Sequence, residues 1–155
     1  MKRIYFVAVL ILSGLPVWAQ QGTDTKEVQI VKEFLHGVST KNREITHRLL
    51  DENISWDQPG NNTLSGKKKT ADEVFTMSGQ MHKISQGTFQ LKDYKVLGIN
   101  GNQVICQLHF TAIRPEGAWL DIQNTDVYTV ENGKIIQAQV FSADPSQEDY
   151  FWGRK

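Results

Sequence analysis

Residues 88–144 decide the fold of this chain, and they read TFQLKDYKVLGINGNQVICQLHFTAIRPEGAWLDIQNTDVYTVENGKIIQAQVFSAD. Apolar and polar side chains alternate along four segments of this stretch, which is the pattern of half-buried β-strands. Short polar turns join the segments at Gly98–Asn102, Arg114–Gly117 and Glu131–Lys134. The Asn-Gly dipeptides at 100–101 and 132–133, and the Pro-Glu-Gly sequence at 115–117, are typical of hairpin turns. We therefore expect an antiparallel sheet in the C-terminal half of the chain.

The N-terminal half carries helical periodicity instead. Apolar residues recur at helical spacing from Val28 to Val38, and a shorter apolar pattern follows from Ile45 to Leu50. A third helix is predicted after Thr70, because Glu73 lies three residues beyond that N-cap residue, as a capping box requires. Helices followed by strands predict an α+β domain with one curled antiparallel sheet, which can close over a pocket.

Composition indicates a single globular domain with no general affinity for nucleic acid. The 155 residues are 39% hydrophobic and 22% charged, which is ordinary for one globular domain. Basic and acidic residues both number 17, so no basic field covers the chain. We interpret the basic run Gly66–Lys69 as a solvated loop, with phosphate binding as the alternative. Cys106, the single cysteine, is interpreted as a buried inert thiol rather than a nucleophile.

Residues 1–19 are predicted to be a signal peptide. Lys2 and Arg3 precede a nearly continuous apolar run at residues 4–12, and Val17 and Ala19 supply the small residues of a cleavage site. The apolar run is shorter than the roughly 20 residues that span a bilayer. A retained membrane anchor is the alternative. We expect residues 20–155 to form one exported bacterial domain, periplasmic or secreted, without stable membrane insertion.

The segment from Trp119 to Val130 carries the main functional clue. One face of this strand is apolar at its ends and polar in the middle, with the order Leu120, Ile122, Asn124, Asp126, Tyr128 and Val130. If Asp126 faces an apolar cavity, burial raises its pKa. Such a carboxyl can act as a general base on a C–H group or, when neutral, donate to an oxyanion. In the alternative, Asp126 is a structural hydrogen-bond partner or faces solvent.

Two further polar residues are candidates for the rim of a pocket. Arg114 ends a predicted strand and is interpreted either as a cation that orients an anionic ligand or as a solvated or ion-paired side chain. His82, near the end of the third predicted helix, is a candidate acid or base at the pocket mouth. No metal-ligand spacing connects the histidines, which are His36, His47, His82 and His109. We therefore expect no catalytic metal and no cofactor.

Short segments spread over residues 27–153 carry a family resemblance. They are residues 54–60 (ISWDQPG), 64–66 (LSG), 87–89 (GTF), 126–135 (DVYTVENGKI), 141–144 (FSAD) and 149–153 (DYFWG). In this order and spacing, the chain resembles the SnoaL-like branch of the NTF2-like superfamily. The resemblance implies a cone-shaped α+β barrel, in which a bent antiparallel sheet wraps around the N-terminal helices and leaves a deep pocket. It also implies a homodimer that forms through the outer face of the sheet.

Catalysis and simple binding are both compatible with this resemblance. The family includes polyketide cyclases, ketosteroid isomerase-like enzymes, dehydratases and epoxide hydrolases, together with proteins that only bind ligands or partners. We expect a small apolar or ring-containing ligand, and a cofactor-free isomerisation, cyclisation or hydration with Asp126 as acid or base. The alternative is a non-catalytic periplasmic binding protein or a dimeric interaction module.

The expected pocket combines apolar walls with two orienting side chains. Asn124 and Tyr128 are expected to orient polar groups of the ligand, because they flank Asp126 on the same strand face. The residues expected to line the walls are Trp56, Phe75, Met81, Phe110 and Phe141.

Overall fold

The computed structural model describes residues 25–155, so the predicted signal peptide at residues 1–19 lies outside the described part. Within that part the α+β class is confirmed, with four helices and six strands. In chain order they are α1 (Lys26–Ser39), α2 (Arg43–Leu49), β1 (Leu50–Gln58), β2 (Gly66–Lys68), α3 (Ala71–Ile84), β3 (Gln90–Asn100), β4 (Gln103–Ile113), β5 (Trp119–Glu131), β6 (Lys134–Phe141) and α4 (Pro145–Trp152).

Helix starts follow from local capping chemistry. The Thr70 hydroxyl accepts a hydrogen bond from the Glu73 amide at 3.2 Å, which is the forward bond of the predicted capping box. The Glu73 carboxylate reaches back to the Lys69 amide at 2.6 Å instead of the Thr70 amide. At the start of α4, Asp144 accepts from the Gln147 amide at 2.9 Å, and a proline occupies the first turn.

The six strands form one sheet in the order β2-β1-β6-β5-β4-β3. Strands β3 to β6 form the predicted antiparallel meander. The sheet is not closed, because β2 and β3 are its two edges in the described part of the chain. One pairing differs from the expected antiparallel sheet: β1 lies parallel to β6, with Ser55 opposite Gln137. Parallel neighbours need a long connection, which the intervening α3 and β3–β5 segments provide.

Bulges bend this sheet around its helices. The register shifts twice between β3 and β4, at Leu91–Asp93 and at Val96–Gly98, and once between β5 and β6, at Thr129–Val130. An extra residue on one strand of a pair increases local twist and bends the strand. The curved sheet thus has an inner face, which the helices cover, and an outer face.

The core lies between α1 and the inner face of the sheet. Helix α1 contacts β3, β4, β5 and β6, and its Val28, Val31 and Leu35 are fully buried. On β4, Val104 and Cys106 point to the same interior. The even-numbered residues of β4 and β5 are therefore the buried ones across most of both strands, which agrees with the face assigned from the sequence pattern.

Candidate functional site

A cavity of about 510 Å³ lies between the helices and the inner face of the sheet. This volume falls within the range of roughly 300–1,000 Å³ that is typical of small-molecule sites. Most of its wall is apolar and comes from elements distant in sequence, including Leu35 of α1, Met77 of α3, Leu108 of β4 and Ile122 of β5. The cavity lies in the concave side of the curved sheet, where the helices and the sheet do not pack fully against each other.

Aromatic rings shape the wall on the α1 and β1 side. The Tyr128 ring packs edge-on against Phe34 and Trp56, with centroid separations of 5.8 and 6.3 Å. The Trp56 indole N–H donates to Gln58 Oε1 at 3.1 Å, so the polar end of that ring has a partner. These contacts hold the three rings in defined positions beside the cavity.

Asp126 carries the most unusual electrostatic environment in the cavity. Its side chain points to the inner face of β5 and is 2% exposed. The Tyr128 hydroxyl donates to Asp126 Oδ2 at 2.7 Å, while Oδ1 has no hydrogen-bond partner among the described residues. Burial raises the pKa of Asp126 to about 7; the Tyr128 bond opposes this rise and the nearby Glu148 carboxyl adds to it.

A second buried carboxyl, that of Glu148 in α4, lines the same cavity. Asn124 Nδ2 donates to Glu148 Oε1 at 2.8 Å, and the Ala143 amide donates to Asn124 Oδ1 at 3.4 Å. Burial raises the pKa of Glu148 above the usual range of a glutamic acid. The two polar side chains that flank the middle of β5 thus have different partners: Tyr128 contacts Asp126, and Asn124 contacts Glu148.

Sequence reasoning missed Glu148, because the run Gln147-Glu148-Asp149 at the start of a helix is typical of a solvated acidic turn. One signal was available. Glu148 lies three and four residues before Phe151 and Trp152, so all three share one face of α4. Phe151 and Trp152 are buried, which places the glutamate inside with them.

The structure brings together most of the candidate site residues named from the sequence. Eight of them line the cavity, namely Trp56, Phe75, Met81, His82, Phe110, Asn124, Asp126 and Tyr128. His82 of α3, Lys41 between α1 and α2, and Arg43 at the start of α2 are all exposed and line the cavity. These three basic side chains are therefore at the open end of the cavity, and the two buried carboxyls are at its inner end.

Two candidate residues, Phe141 and Arg114, do not line the cavity. Phe141 is 51% exposed, because Ala138 and Val140 are the inward residues of β6 and the next side chain points outward. Arg114 is not on the cavity wall: its guanidinium donates to the Phe151 carbonyl at 3.0 Å and forms an ion pair with Glu116. For Arg114, the ion-paired alternative is the one observed.

Nothing in the described residues resembles a metal site or a membrane-spanning segment. No three His, Cys, Asp or Glu side chains of residues 25–155 cluster closely enough to hold a metal ion. Over the same residues, no helix is both long and apolar enough to span a bilayer.

Comparison with known proteins identifies the class to which this fold and cavity belong. The model of the SnoaL-like domain matches residues 31–138. The chain therefore belongs to the SnoaL-like family, within the NTF2-like superfamily, and the predicted cone-shaped fold is confirmed. None of the curated protein sequences that were compared matches the chain.

Solved structures agree with this assignment. A Xanthomonas campestris protein of unknown function with a cystatin-like fold is 31% identical, covers 84% of this chain and 100% of its own, and superposes with a TM-score of 0.79. Bal32a, from a soil-derived mobile gene cassette, is 27% identical over 82% of this chain and 96% of its own, with a TM-score of 0.77. TerC, co-crystallised with polyporic acid, shares the fold at 12% identity, over 82% and 98% of the two chains, with a TM-score of 0.71.

Proposed function

We propose that this chain is an exported small-molecule-binding domain that catalyses a cofactor-free proton transfer. The reaction is of the isomerisation, cyclisation or hydration type, and Asp126 is the acid–base group. One observation carries the proposal: the buried Asp126 carboxyl lies in the wall of a largely apolar cavity, and its Oδ1 has no hydrogen-bond partner among the described residues. Because a buried polar atom without a partner is costly, a ligand group that contacts Oδ1 would be stabilised there.

The electrostatics of Asp126 suit this role. A general base works best when its pKa lies near the working pH, since it is then both available and sufficiently basic. Burial brings the pKa of Asp126 to about 7, so ionised and neutral carboxyls coexist at neutral pH. A group in this state can take a proton from one ligand atom and return it to another.

The ligand class follows from the cavity wall. Phe34, Trp56, Phe89 and Phe110 present ring faces and edges to a volume of about 510 Å³. A small, largely apolar or ring-containing molecule suits such a wall. TerC, which shares this fold, was co-crystallised with polyporic acid, and this is consistent with a small organic ligand for this chain.

The test uses 5-nitrobenzisoxazole, a small ring compound that opens when a base removes its C–H proton. The chain should accelerate ring opening, monitored by absorbance, and Asp126→Asn should reduce the rate by roughly 10²-fold or more. Asp121→Asn is the matched control, because Asp121 lies on the outward face of the same strand and is exposed. Equal rates for the wild-type chain and Asp126→Asn would refute the catalytic role. A chain that binds the probe without opening it would instead support the binding-only alternative.

Export is the second part of the proposal. It is supported by the basic start, the apolar run and the small residues that precede Gln20. When the full chain is expressed in a Gram-negative bacterium, the periplasmic product should lack residues 1–19 by intact mass. A full-length product that stays in the cytoplasm or the membrane would contradict export.

Self-association through the outer face of the sheet is the third part. Ile113 and Trp119 are opposite each other on β4 and β5, and they are exposed together with Phe141 of β6. Adjacent exposed apolar side chains such as the Ile113–Trp119 pair are typical of a contact surface. Sedimentation should give a dimer for the wild-type chain and a monomer for the double variant Trp119→Glu/Phe141→Lys. Tyr150→Ser, on the exposed side of α4, is the control, and a monomeric wild-type chain would contradict the proposal.

A further inference from the structure

Charged and basic side chains are segregated along the cavity. The buried carboxyls of Asp126 and Glu148 lie at its inner end, whereas Lys41, Arg43 and His82, here called the basic mouth, are exposed and line its opening. Among the described residues, no exposed acid lines the cavity. Lysines and arginines number 17 in the whole chain, as do aspartates and glutamates, so the basic mouth is a local feature.

Two members of the basic mouth meet at Gly87, in the loop that follows α3. The Lys41 ammonium donates a hydrogen bond to the Gly87 carbonyl at 2.9 Å. The His82 ring packs against the same glycine, because a Cβ atom at Gly87 would lie 3.1 Å from His82 Cε1. One glycine thus brings together a basic group from the α1–α2 connection and one from α3. An ammonium has three N–H donors, and the bond to Gly87 uses only one of them.

An aromatic ring holds the third member beside the same cavity. The Arg43 guanidinium lies over the Phe75 ring, 5.8 Å from its centroid, which is within the range of a cation–π contact. The His47 ring stacks on Phe75 at 5.3 Å, and Phe75 itself lines the cavity. The contact with Phe75 uses no N–H donor, and the Arg43 guanidinium forms no hydrogen bond or ion pair with another described residue. Its donors are therefore available to a ligand.

Structural roles do not account for this cluster. The bond from Lys41 to Gly87 ties the α1–α2 connection to the end of α3, but it does not require a second cation nearby. Lys41 and Arg43 are two residues apart, and neither is ion-paired within the described part of the chain. Like charges held close together repel each other, and an anion bound between them would relieve that repulsion.

We propose that the basic mouth binds the carboxylate of an amphipathic ligand whose apolar or ring-containing body occupies the cavity. This inference rests on the binding part of the proposed function and adds the ligand class, an organic carboxylate. Lys41 and Arg43 provide positive charge and N–H donors, which form strong hydrogen bonds with a carboxylate. The His82 ring carries at least one further N–H group in any protonation state.

The distribution of charge also sets the orientation of the ligand. At the inner end, a carboxylate would be repelled by the ionised form of Asp126 and would lose its water without gaining a cation. At the mouth it remains close to solvent and contacts Lys41 and Arg43. The apolar end of the ligand therefore points to Asp126, and the carboxylate fixes which end of the molecule enters first.

The test compares 2-naphthoate with 2-naphthamide, which has the same ring system without the charge, by isothermal titration calorimetry at low salt. The wild-type chain should bind the carboxylate about tenfold more tightly than the amide, since hydrogen bonds to charged groups are the stronger ones. In Lys41→Gln/Arg43→Gln, the two affinities should lie within about twofold of each other. Lys67→Gln/Lys83→Gln is the matched control: it loses the same charge from two exposed residues that do not line the cavity, and it should keep the preference.

The remaining outcomes separate this inference from the proposed function. Equal affinities of the wild-type chain for both probes would overturn the carboxylate site and leave a small-molecule cavity. A preference that persists in Lys41→Gln/Arg43→Gln, or that the control variant loses equally, would also overturn it. If neither probe binds, the small-molecule site of the proposed function is itself contradicted.

A single variant covers the case in which the double variant does not fold. Arg43→Gln changes one exposed side chain without hydrogen bonds to other described residues, so the fold should tolerate it. Its preference for 2-naphthoate over 2-naphthamide should fall at least about threefold relative to the wild-type chain. An unchanged preference in Arg43→Gln would contradict the carboxylate site.

Discussion

Asp126 shows how a buried ionisable side chain can destabilise the fold that contains it. A carboxyl with 2% exposure and a single hydrogen bond, from Tyr128, is more easily charged in water than in this cavity. Its pKa is therefore raised from 3.8 to about 7. Between these two pH values, the folded chain holds a proton that the unfolded chain releases. The free energy of unfolding consequently falls as the pH rises from about 4 to about 7.

The first prediction follows from this fall in the free energy of unfolding with rising pH. Asp126→Asn removes the buried charge, so at pH 8 the variant should be more stable than the wild-type chain, by up to about 4 kcal/mol. The difference should shrink towards pH 4, where the carboxyl of the folded wild-type chain is protonated and that of the unfolded chain is only partly ionised. Urea unfolding at pH 4, 6 and 8 measures it, with Asp121→Asn as the outward control on the same strand. A variant that is less stable than the wild-type chain at pH 8 would contradict the assignment.

The close contact between α1 and α2 depends on a glycine in α1. Gly37 is buried in α1, and a Cβ atom there would lie 2.9 Å from Ile45 Cγ2 and 3.0 Å from Thr46 Cγ2 of α2. Ile45 Cβ would be 3.1 Å away, and a β-branched side chain cannot easily rotate out of the way. Close approach of these two helices at the edge of the cavity therefore requires glycine in α1. Gly79, in the middle of α3, would meet nothing within 4 Å.

The second prediction compares these two glycines. Gly37→Ala should destabilise the chain by about 1–2 kcal/mol, since overpacking exceeds the gain in helix propensity. Gly79→Ala should instead stabilise it by up to about 1 kcal/mol, because the new methyl group has open space and alanine favours a helix. Urea midpoints of both variants at one pH test the pair. A stabilising Gly37→Ala would show that α1 and α2 are not tightly packed at this point.

The stability of the whole molecule rests on one continuous hydrophobic core, which includes Cys106. The third prediction concerns the accessibility of this thiol. Cys106 lies fully buried on β4, between β3 and β5, and burial raises the pKa of its thiol to about 12. A central strand becomes accessible only when the sheet opens as a whole. At pH 8 the native chain should show no reaction with a thiol-specific disulfide reagent, and in denaturant one thiol per chain should react. Fast labelling under native conditions would indicate local opening of β4.

The sequence by itself determined the parts of this protein that depend on local chemistry. Alternation predicted a buried Cys106 on β4 and grouped Asp126 with Leu120, Ile122 and Val130 on one face of β5, because adjacent side chains of a strand point to opposite sides. The structure shows that this face of β5 is the buried one. The N-cap at Thr70 and the start of α4 at Asp144 also depend only on residues within one turn. The order of helices and strands was sufficient to indicate the family.

The tertiary structure decided what depends on distant parts of the chain. The parallel place of β1 beside β6 depends on pairing between strands that are far apart in the sequence, which strand periodicity does not encode. The burial of Glu148 depends on the packing of α4 against β5, because its immediate neighbours Gln147 and Asp149 are polar and only this packing shows which face of the helix is inward. Local sequence patterns made Asp126 a candidate for an inward carboxyl. Long-range packing placed the carboxyl of Glu148 beside the same cavity.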